Sequence, residues 1–334
     1  MYRVTDAVLV RAATHRAGTD LPDWPDLTGS TSQHVRQWRG WLEQIWSLDA
    51  LGDAIEVASP VLASQARKVI DGHGLESRQV RRVVMSVARY VLRATGRATP
   101  FGLFAGITPA GFGDQVTARW GDAHRTAVRP GAEWLAAAVT SLEACPELLD
   151  RLPVTASNLC AIRGGRLVAA AQQHIGPVGD GQGRPVEVSV RLTKPVEAAI
   201  RYARTPVVAG DLAARLSAEF PQAPPAVIRQ MLAGLVRLRL LITSLRAPMT
   251  VTDVLGHIVG VLDAADSDAV PRAAGQARAL RAARALAVCH DKSGLAAGRR
   301  ELRASLAGHL SRAGFPAGPH VTVDVRLDAE IVLP

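Results

Sequence analysis

Lysine is almost absent from this chain. Among 334 residues only Lys68, Lys194 and Lys292 carry an ammonium group, so arginine supplies nearly all of the 39 basic side chains behind the net charge of +9. A guanidinium is planar and grips phosphate or carboxylate through two parallel hydrogen bonds, which an ammonium does not copy. A GC-rich genome also favours arginine over lysine, but that bias leaves the net excess unexplained. Cysteine is scarce as well. Cys145, Cys160 and Cys289 are odd in number and far apart, which excludes a disulfide framework or a zinc pattern and reads as ordinary thiols. No stretch of about 18 uninterrupted apolar residues occurs, so no transmembrane helix is expected. The opening MYRVTDAVLVRAATHRAG lacks a basic segment followed by an apolar core, so no signal peptide is expected and the cytoplasm is the expected location. HExxH, GxSxG, P-loop and GxGxxG patterns are all missing and the nine histidines are scattered, so hydrolase, NTPase and dehydrogenase readings have no positive support and no metal is expected.

What is present is a large apolar fraction, 48%, enough to build a sizeable core, in a chain longer than one typical domain. The charge is uneven. Residues 1–150 hold 16 basic and 16 acidic side chains, whereas residues 151–334 hold 23 against 14. Two local runs stand out. Arg78 to Arg97 contains six arginines and no acid, and Arg272 to Arg303 contains eight basic residues against Asp291 and Glu301. Each is either a footprint for a polyanion or a solvated helix face.

The pattern along the chain predicts an α+β fold of mixed sheets and helices. Residues 4–12 alternate and predict an opening strand, and 16–31 a loop. Val35, Trp38, Trp41, Leu42, Ile45 and Leu48 fall at helical spacing and predict a helix over 32–51. An apolar segment from Ala54 to Ala63 is broken at Ser59-Pro60. Val80 to Leu92 predicts a second strong helix with Val83, Val84, Val87 and Val91 on one face, ended by Pro100 and the glycines Gly96, Gly102 and Gly106. Strands are expected over 112–120 and 125–129, a helix over 133–142, and strands over 167–173 and 186–192 around a glycine-rich loop at 176–183. Helices at 195–203, 208–219 and 224–238 and a short strand from Leu240 follow. Strands, three helices and a strand form a winged-helix-like layout. Arg229, Arg237 and Arg239 give some support to a DNA-binding version of it; its embedding in a larger chain argues against that. Helices at 250–263, 272–288 and 294–313 precede an alternating tail from His320 to Leu327. Three regions are expected: 1–150, α+β; 151–248, winged-helix-like; and 249–334, helical, closing on a strand and incomplete.

One segment has the makings of a site. A helix delivers Arg93 and Arg97 one turn apart on the same face, Thr99 follows in the turn, and Gly102 and Gly106 allow close backbone approach. Two guanidiniums and a hydroxyl at a helix end can hold a phosphate or carboxylate; the same residues also read as a surface arginine pair beside a buried plug of Phe101, Leu103 and Phe104.

The stretch Tyr90-Val-Leu-Arg-Ala-Thr-Gly-Arg-Ala-Thr-Pro-Phe-Gly-Leu-Phe-Ala-Gly106 resembles the signature of the lantibiotic dehydratase N-terminal domain, an arginine-rich helix closing in R-x-TPFG-x-FAG. Further matches follow in order: Val8 to Arg11 resembles the opening strand with its arginine, Ile55 to Leu62 an ASP-x-L segment, Arg129 to Leu135 an R-P-D-x-E-W-L segment, Leu240 to Met249 a strand leaving the winged helix, and Val321 to Asp324 a strand with an aspartate. Gly131 stands where that family has an acidic residue. The resemblance implies a role in ribosomal peptide natural product biosynthesis: transfer of glutamate from glutamyl-tRNA to serine or threonine of a precursor peptide, with aminoacyl-tRNA as co-substrate and no other cofactor. It implies Arg93, Arg97 and Thr99 as catalytic positions, and Arg11, Arg93, Arg97 and Asp324 as tRNA-binding positions. The implied partners are the leader of the precursor peptide, glutamyl-tRNA or another aminoacyl-tRNA, and a second polypeptide completing the site or an elimination enzyme. The alternatives are a non-catalytic leader-binding module, half of a split transferase, or a shortened product with no role of its own.

Overall fold

The computed structural model describes residues 8–15, 21–29, 31–73, 76–173, 185–292, 296–315 and 321–334. The elements, in chain order, are β1 (Val8–Ala13), α1 (Ser32–Ser47), α2 (Asp49–Ala58), α3 (Pro60–Ile70), α4 (Ser77–Gly96), β2 (Ala105–Phe112), β3 (Thr117–Trp120), β4 (Arg125–Pro130), α5 (Ala132–Glu143), α6 (Pro146–Leu149), β5 (Pro153–Ala156), β6 (Cys160–Arg163), β7 (Arg166–Gln173), β8 (Pro185–Arg191), α7 (Lys194–Tyr202), β9 (Val207–Val208), α8 (Ala209–Glu219), α9 (Pro225–Arg237), β10 (Leu241–Thr243), α10 (Val254–Ala264), α11 (Pro271–Lys292), α12 (Ala296–Arg312), β11 (Val321–Arg326) and β12 (Ala329–Leu333). The α+β class is as expected. The glycine-rich loop at 176–183 lies outside the described residues. The chain divides into two compact units, one of residues 1–129, 285–307 and 320–334, the other of residues 130–284 and 308–319.

The first unit packs helices on one face of a mixed sheet. The sheet has the order β3-β12-β2-β11-β4, with β1 antiparallel to β2. Strands β11 and β12 run parallel to β2, and β12 is antiparallel to β3. The helix predicted over 32–51 is divided at Leu48 into α1 and α2. The break at Ser59-Pro60 is a helix boundary: the Ser59 hydroxyl accepts from the Leu62 amide at 3.3 Å, and Pro60 takes the first turn of α3, where its missing N–H costs nothing. Trp38, Trp41, Leu42 and Ile45 of α1, Leu51 and Ile55 of α2, and the α4 stripe Val80, Val83, Val84, Val87 and Val91 close on Phe104 in one apolar cluster. Each such side chain fully removed from water contributes about 1.5–3 kcal/mol. The Trp38 indole N–H, which this packing would strand, donates to the Asp26 carbonyl at 2.7 Å.

The sequence places no strand at residues 105–111, where its glycines mark only a helix stop. They are strand because they pair with β1 and β11, and at Gly106 the second pairing leaves no room for a side chain: a Cβ there would sit 2.5 Å from the Val325 carbonyl oxygen and 2.9 Å from its Cβ. Strand β12 also goes unexpected. It slots between β2 and β3, so β3 meets β2 only through it.

A polar network ties α2, α11 and α12 together beneath this sheet. Asp53 is buried and pairs with Arg303, itself nearly buried, and with Arg300 at 3.5 Å. Arg303 donates to Nε2 of the fully buried His290 at 3.4 Å, and Asp291 accepts from the Val128 amide at 2.9 Å. Burial pushes the His290 imidazole below its ordinary value, against the pull of Asp291, so it serves as the neutral acceptor that Arg303 requires.

Among the described residues the second unit holds two three-stranded sheets, β10-β5-β9 and β6-β7-β8; α7, α8 and α9 follow β8 in sequence and precede β10, with β9 between α7 and α8. The strand after the three helices, β10, pairs with β5 and not with the β7–β8 hairpin. Glu143 is buried and satisfied by the Thr243 hydroxyl at 2.6 Å and by Arg246 at 3.1 and 2.6 Å.

Gly106→Ala forces backbone against backbone, where neither side can yield by rotating a side chain. We expect a loss of about 1–3 kcal/mol in denaturant unfolding, with the amides of β11 exchanging faster than those of β6–β8.

Candidate functional site

The structure sorts the sequence-derived site residues into two groups within the first unit. The first is the turn after α4. The Arg93 guanidinium lies over the Phe101 ring, 4.4 Å from its centroid, and donates to the Thr99 carbonyl at 3.4 Å; its Nε is buried with no hydrogen-bond partner among the described residues. Phe101, Phe104 and Tyr90 form a stacked set with centroids 5.5–6.4 Å apart. Gly102 adopts φ +54°, the left-handed conformation that lets Leu103 and Phe104 turn back under the ring. Arg97 and Thr99 are exposed one turn beyond. Arg93 is thus fastened to its own turn, while Arg97 faces water.

The second group sits on the open face of the sheet. Outward positions alternate with buried ones along β1, β2, β4 and β11, which sends Leu9, Arg11, Ile107, Pro109, Arg125, Arg129, Asp324 and Arg326 to one face. Arg11 and Arg326 are both in register with Ile107, one on each side of it, which puts their Cα atoms roughly 10 Å apart across two strand spacings. Asp324 pairs with Arg129. The two groups meet through the chain: Thr14, just past β1, donates its amide to the Phe104 carbonyl at 3.0 Å and its hydroxyl to that of Leu103 at 2.6 Å. Sequence reasoning missed Arg326 and Arg125. Arg326 stands two residues from Asp324 in an alternating tail, so its shared face was legible.

The two arginine runs part company. In the later one, Arg272, Arg281, Arg284, Arg300 and Arg303 are all paired with carboxylates of their own unit. In the earlier one, Arg78, Arg81, Arg82 and Arg89 are exposed on α4 away from its valine stripe, Arg97 is exposed just past its end, and none has a carboxylate partner among the described residues. Arg11, Arg125 and Arg326 likewise have none. Around them the acidic side chains are occupied: Arg119 bridges Asp328 and Glu330 at 3.3 and 3.1 Å. The Ala123 amide, and then Arg119, hold the Asp328 carboxyl below its usual range. Guanidiniums left open in this way can hold phosphates. Among the described residues no group of three or more His, Cys, Asp or Glu side chains is arranged to hold a metal ion, and no helix is long and apolar enough to cross a membrane.

An α+β chain whose signature turn sits beside an unpaired arginine surface defines the class, and the comparisons give the family. Residues 47–334 match the model of the lantibiotic dehydratase N terminus, and the chain belongs to that family. It is 28% identical over 274 residues to the subtilin biosynthesis protein SpaB of Bacillus subtilis, an alignment covering 81% of this chain and 24% of SpaB. The crystal structure of the tRNA-dependent lantibiotic dehydratase MibB from Microbispora sp. 107891 superposes with a TM-score of 0.79 at 32% identity, over 98% of this chain and 29% of MibB. The glutamylation domain TbtB from thiomuracin biosynthesis shares the fold, with a TM-score of 0.56 at 18% identity over 90% of this chain and 35% of TbtB. The chain therefore spans between about a quarter and about a third of the length of these relatives.

The two arginines of the motif separate in a stability measurement. Arg93→Ala, which removes the cation–π contact, is expected to cost about 1 kcal/mol in denaturant unfolding, while Arg97→Ala stays within about 0.5 kcal/mol of the parent. Equal effects would remove the distinction.

Proposed function

We propose that this chain supplies the aminoacyl-tRNA-facing part of a glutamyl transferase of ribosomal peptide natural product biosynthesis. Glutamate passes from glutamyl-tRNA to a serine or threonine hydroxyl of a precursor peptide. The observation that carries this reading is the set of arginines without carboxylate partners among the described residues: Arg78, Arg81, Arg82 and Arg89 on α4 with Arg97 just past it, and Arg11 and Arg326 flanking Ile107 on the sheet face. Membership of a family that includes a tRNA-dependent dehydratase gives those arginines their polyanion.

The chemistry is acyl transfer. The peptide hydroxyl attacks the ester carbonyl carbon, the bond to the ribose oxygen breaks, and the hydroxyl proton ends on that oxygen. Such a step calls for cations at the tRNA phosphates and donors for the developing oxyanion. Arg97, Arg11 and Arg326 suit the phosphates; Arg93, pinned by Phe101, and Thr99 suit positioning at the acyl end, with Asp324 orienting Arg129. RNA ends are read through phosphates, sugar hydroxyls and splayed bases, which arginine and an exposed apolar residue such as Ile107 accommodate. Aminoacyl-tRNA is the co-substrate and no further cofactor enters. The cytoplasm, where charged tRNA is made, is the proposed location. The proposed partners are the precursor peptide and either a polypeptide completing the site or an elimination enzyme.

The second reading, a leader-binding module or half of a split transferase, draws on Gly131 and on the β6-β7-β8 sheet. Among the described residues β6 and β8 each pair with a single neighbour there, and an extended leader could add as a strand along such an edge.

The test is the salt dependence of glutamyl-tRNA binding to the chain. The parent should lose affinity steeply with salt. Arg11→Ala/Arg326→Ala should lower the slope of log K against log salt by roughly one to two, about one per phosphate contact removed. An unchanged slope would sink the proposal.

A further inference from the structure

His290, near the end of α11, is fully removed from water, and its two ring nitrogens face opposite charges. Arg303 of α12 meets Nε2 at 3.4 Å. A guanidinium only donates, so Nε2 is the bare acceptor. The single ring proton then sits on Nδ1, where Asp291 accepts it at 3.3 Å. Arg303 is 9% exposed and gives its other terminal nitrogen to Asp53 of α2, which is 3% exposed. The neutral ring is thus the second acceptor that keeps the Arg303 guanidinium pointed at Asp53.

Charge reaches the ring from three helices. On its own helix there is Asp291. Across from it α12 brings Arg303 and, further off, Arg299. Helix α2 brings Asp53, joined to the ring through Arg303 and paired also with Arg300 of α12 at 3.5 Å. From β4 comes a neutral group, the Val128 amide, which donates to Asp291 at 2.9 Å. Protonating Nε2 reverses the contact with Arg303. An N–H would point at an N–H, between two cations buried too deeply for water to screen them. The charged ring is drawn instead to Asp291, away from α12. Asp53 keeps Arg300, so α2 is not left with a bare charge when Arg303 lets go.

We propose that His290 is a pH-sensitive latch: the neutral ring holds Arg303 against Asp53 and closes α12 on α2, and the protonated ring expels Arg303 and opens that part of α12. Burial first, with Arg303 and Arg299 adding to it against the pull of Asp291, keeps the imidazole below its ordinary value. The closed form therefore takes up its proton at a lower pH than the open form, in which the ring meets water. The hold is complete above the ordinary imidazole value of about 6.5 and is lost as pH falls below it. The bond from the Val128 amide to Asp291 involves no ring proton, so β4 keeps its place while α12 opens. The latch does not depend on which substrate the chain serves.

The test is amide hydrogen exchange by NMR on the parent and on His290→Gln, from about pH 7.5 to about pH 5, a range centred near the imidazole value. Rates are expressed as protection, which removes the pH dependence of exchange itself. Glutamine accepts from Arg303 as the neutral ring does, but it cannot be protonated. In the parent, protection of residues 299–306 should fall by up to about tenfold per pH unit below about 6.5, the signature of one proton taken up on opening. Val128 and the amides of α4 should keep theirs. In His290→Gln the same α12 amides should show no such fall. A parent that stays flat, a variant that falls as steeply as the parent, or a fall shared equally by α4 overturns the proposal. Should His290→Gln not fold, 15N-histidine spectra of the parent decide. A bare Nε2 at neutral pH that gains its proton in step with the loss of α12 protection supports the latch. Protonation with that protection unchanged, or a ring already charged at neutral pH, overturns it.

Discussion

The close approach of two backbones at Gly106 is the constraint on which the first unit depends. With no Cβ there, the Val325 carbonyl comes in against β2, and a strand from residue 321 onward lies parallel to one from residue 105. Parallel pairing over that separation carries a large loop-closure cost, recovered only when the sheet buries one face. The register that results is what sets Arg326 opposite Arg11. The glycine at the end of the R-x-TPFG-x-FAG motif is therefore a packing requirement whose consequence is a binding face, and the motif's arginines are a separate matter one turn of chain away.

Charge is used in two different ways in this unit. Beneath the sheet, Asp53, Arg303 and His290 are withdrawn from water and satisfy one another. Such a buried set adds little net stability, but removing one member leaves a charge uncompensated, so it fixes how α2, α11 and α12 meet. On α4 and on the open sheet face, Arg78, Arg81, Arg82, Arg89, Arg11, Arg125 and Arg326 have no carboxylate partner among the described residues. They repel one another, a cost that an anionic partner relieves. The later arginine run, equally basic in sequence, is spent inside its own units on carboxylates such as Asp53 and Asp263.

Much of this was legible in the sequence. The helix faces of α1 and α4 follow from their apolar spacing, and the alternation of β11 from VTVDVR. The resemblance carried by residues 90–106 led to the family that the comparisons then gave. What was not legible depends on partners distant in sequence. Residues 105–111 become strand because β11 arrives, and β12 becomes strand because β2 and β3 leave a slot for it; neither cause lies within a local window. The break between α1 and α2 at Leu48 had no glycine or proline to announce it.

The central claim is that the arginines of the first unit without carboxylate partners meet the aminoacyl-tRNA. The most direct measurement is arginine-selective chemical modification read by mass spectrometry, with and without glutamyl-tRNA. The account predicts that Arg11, Arg97, Arg125 and Arg326 are protected by the tRNA while Arg229 and Arg237 on α9 react as before. Protection of Arg229 and Arg237, with Arg11 and Arg326 unchanged, would contradict it.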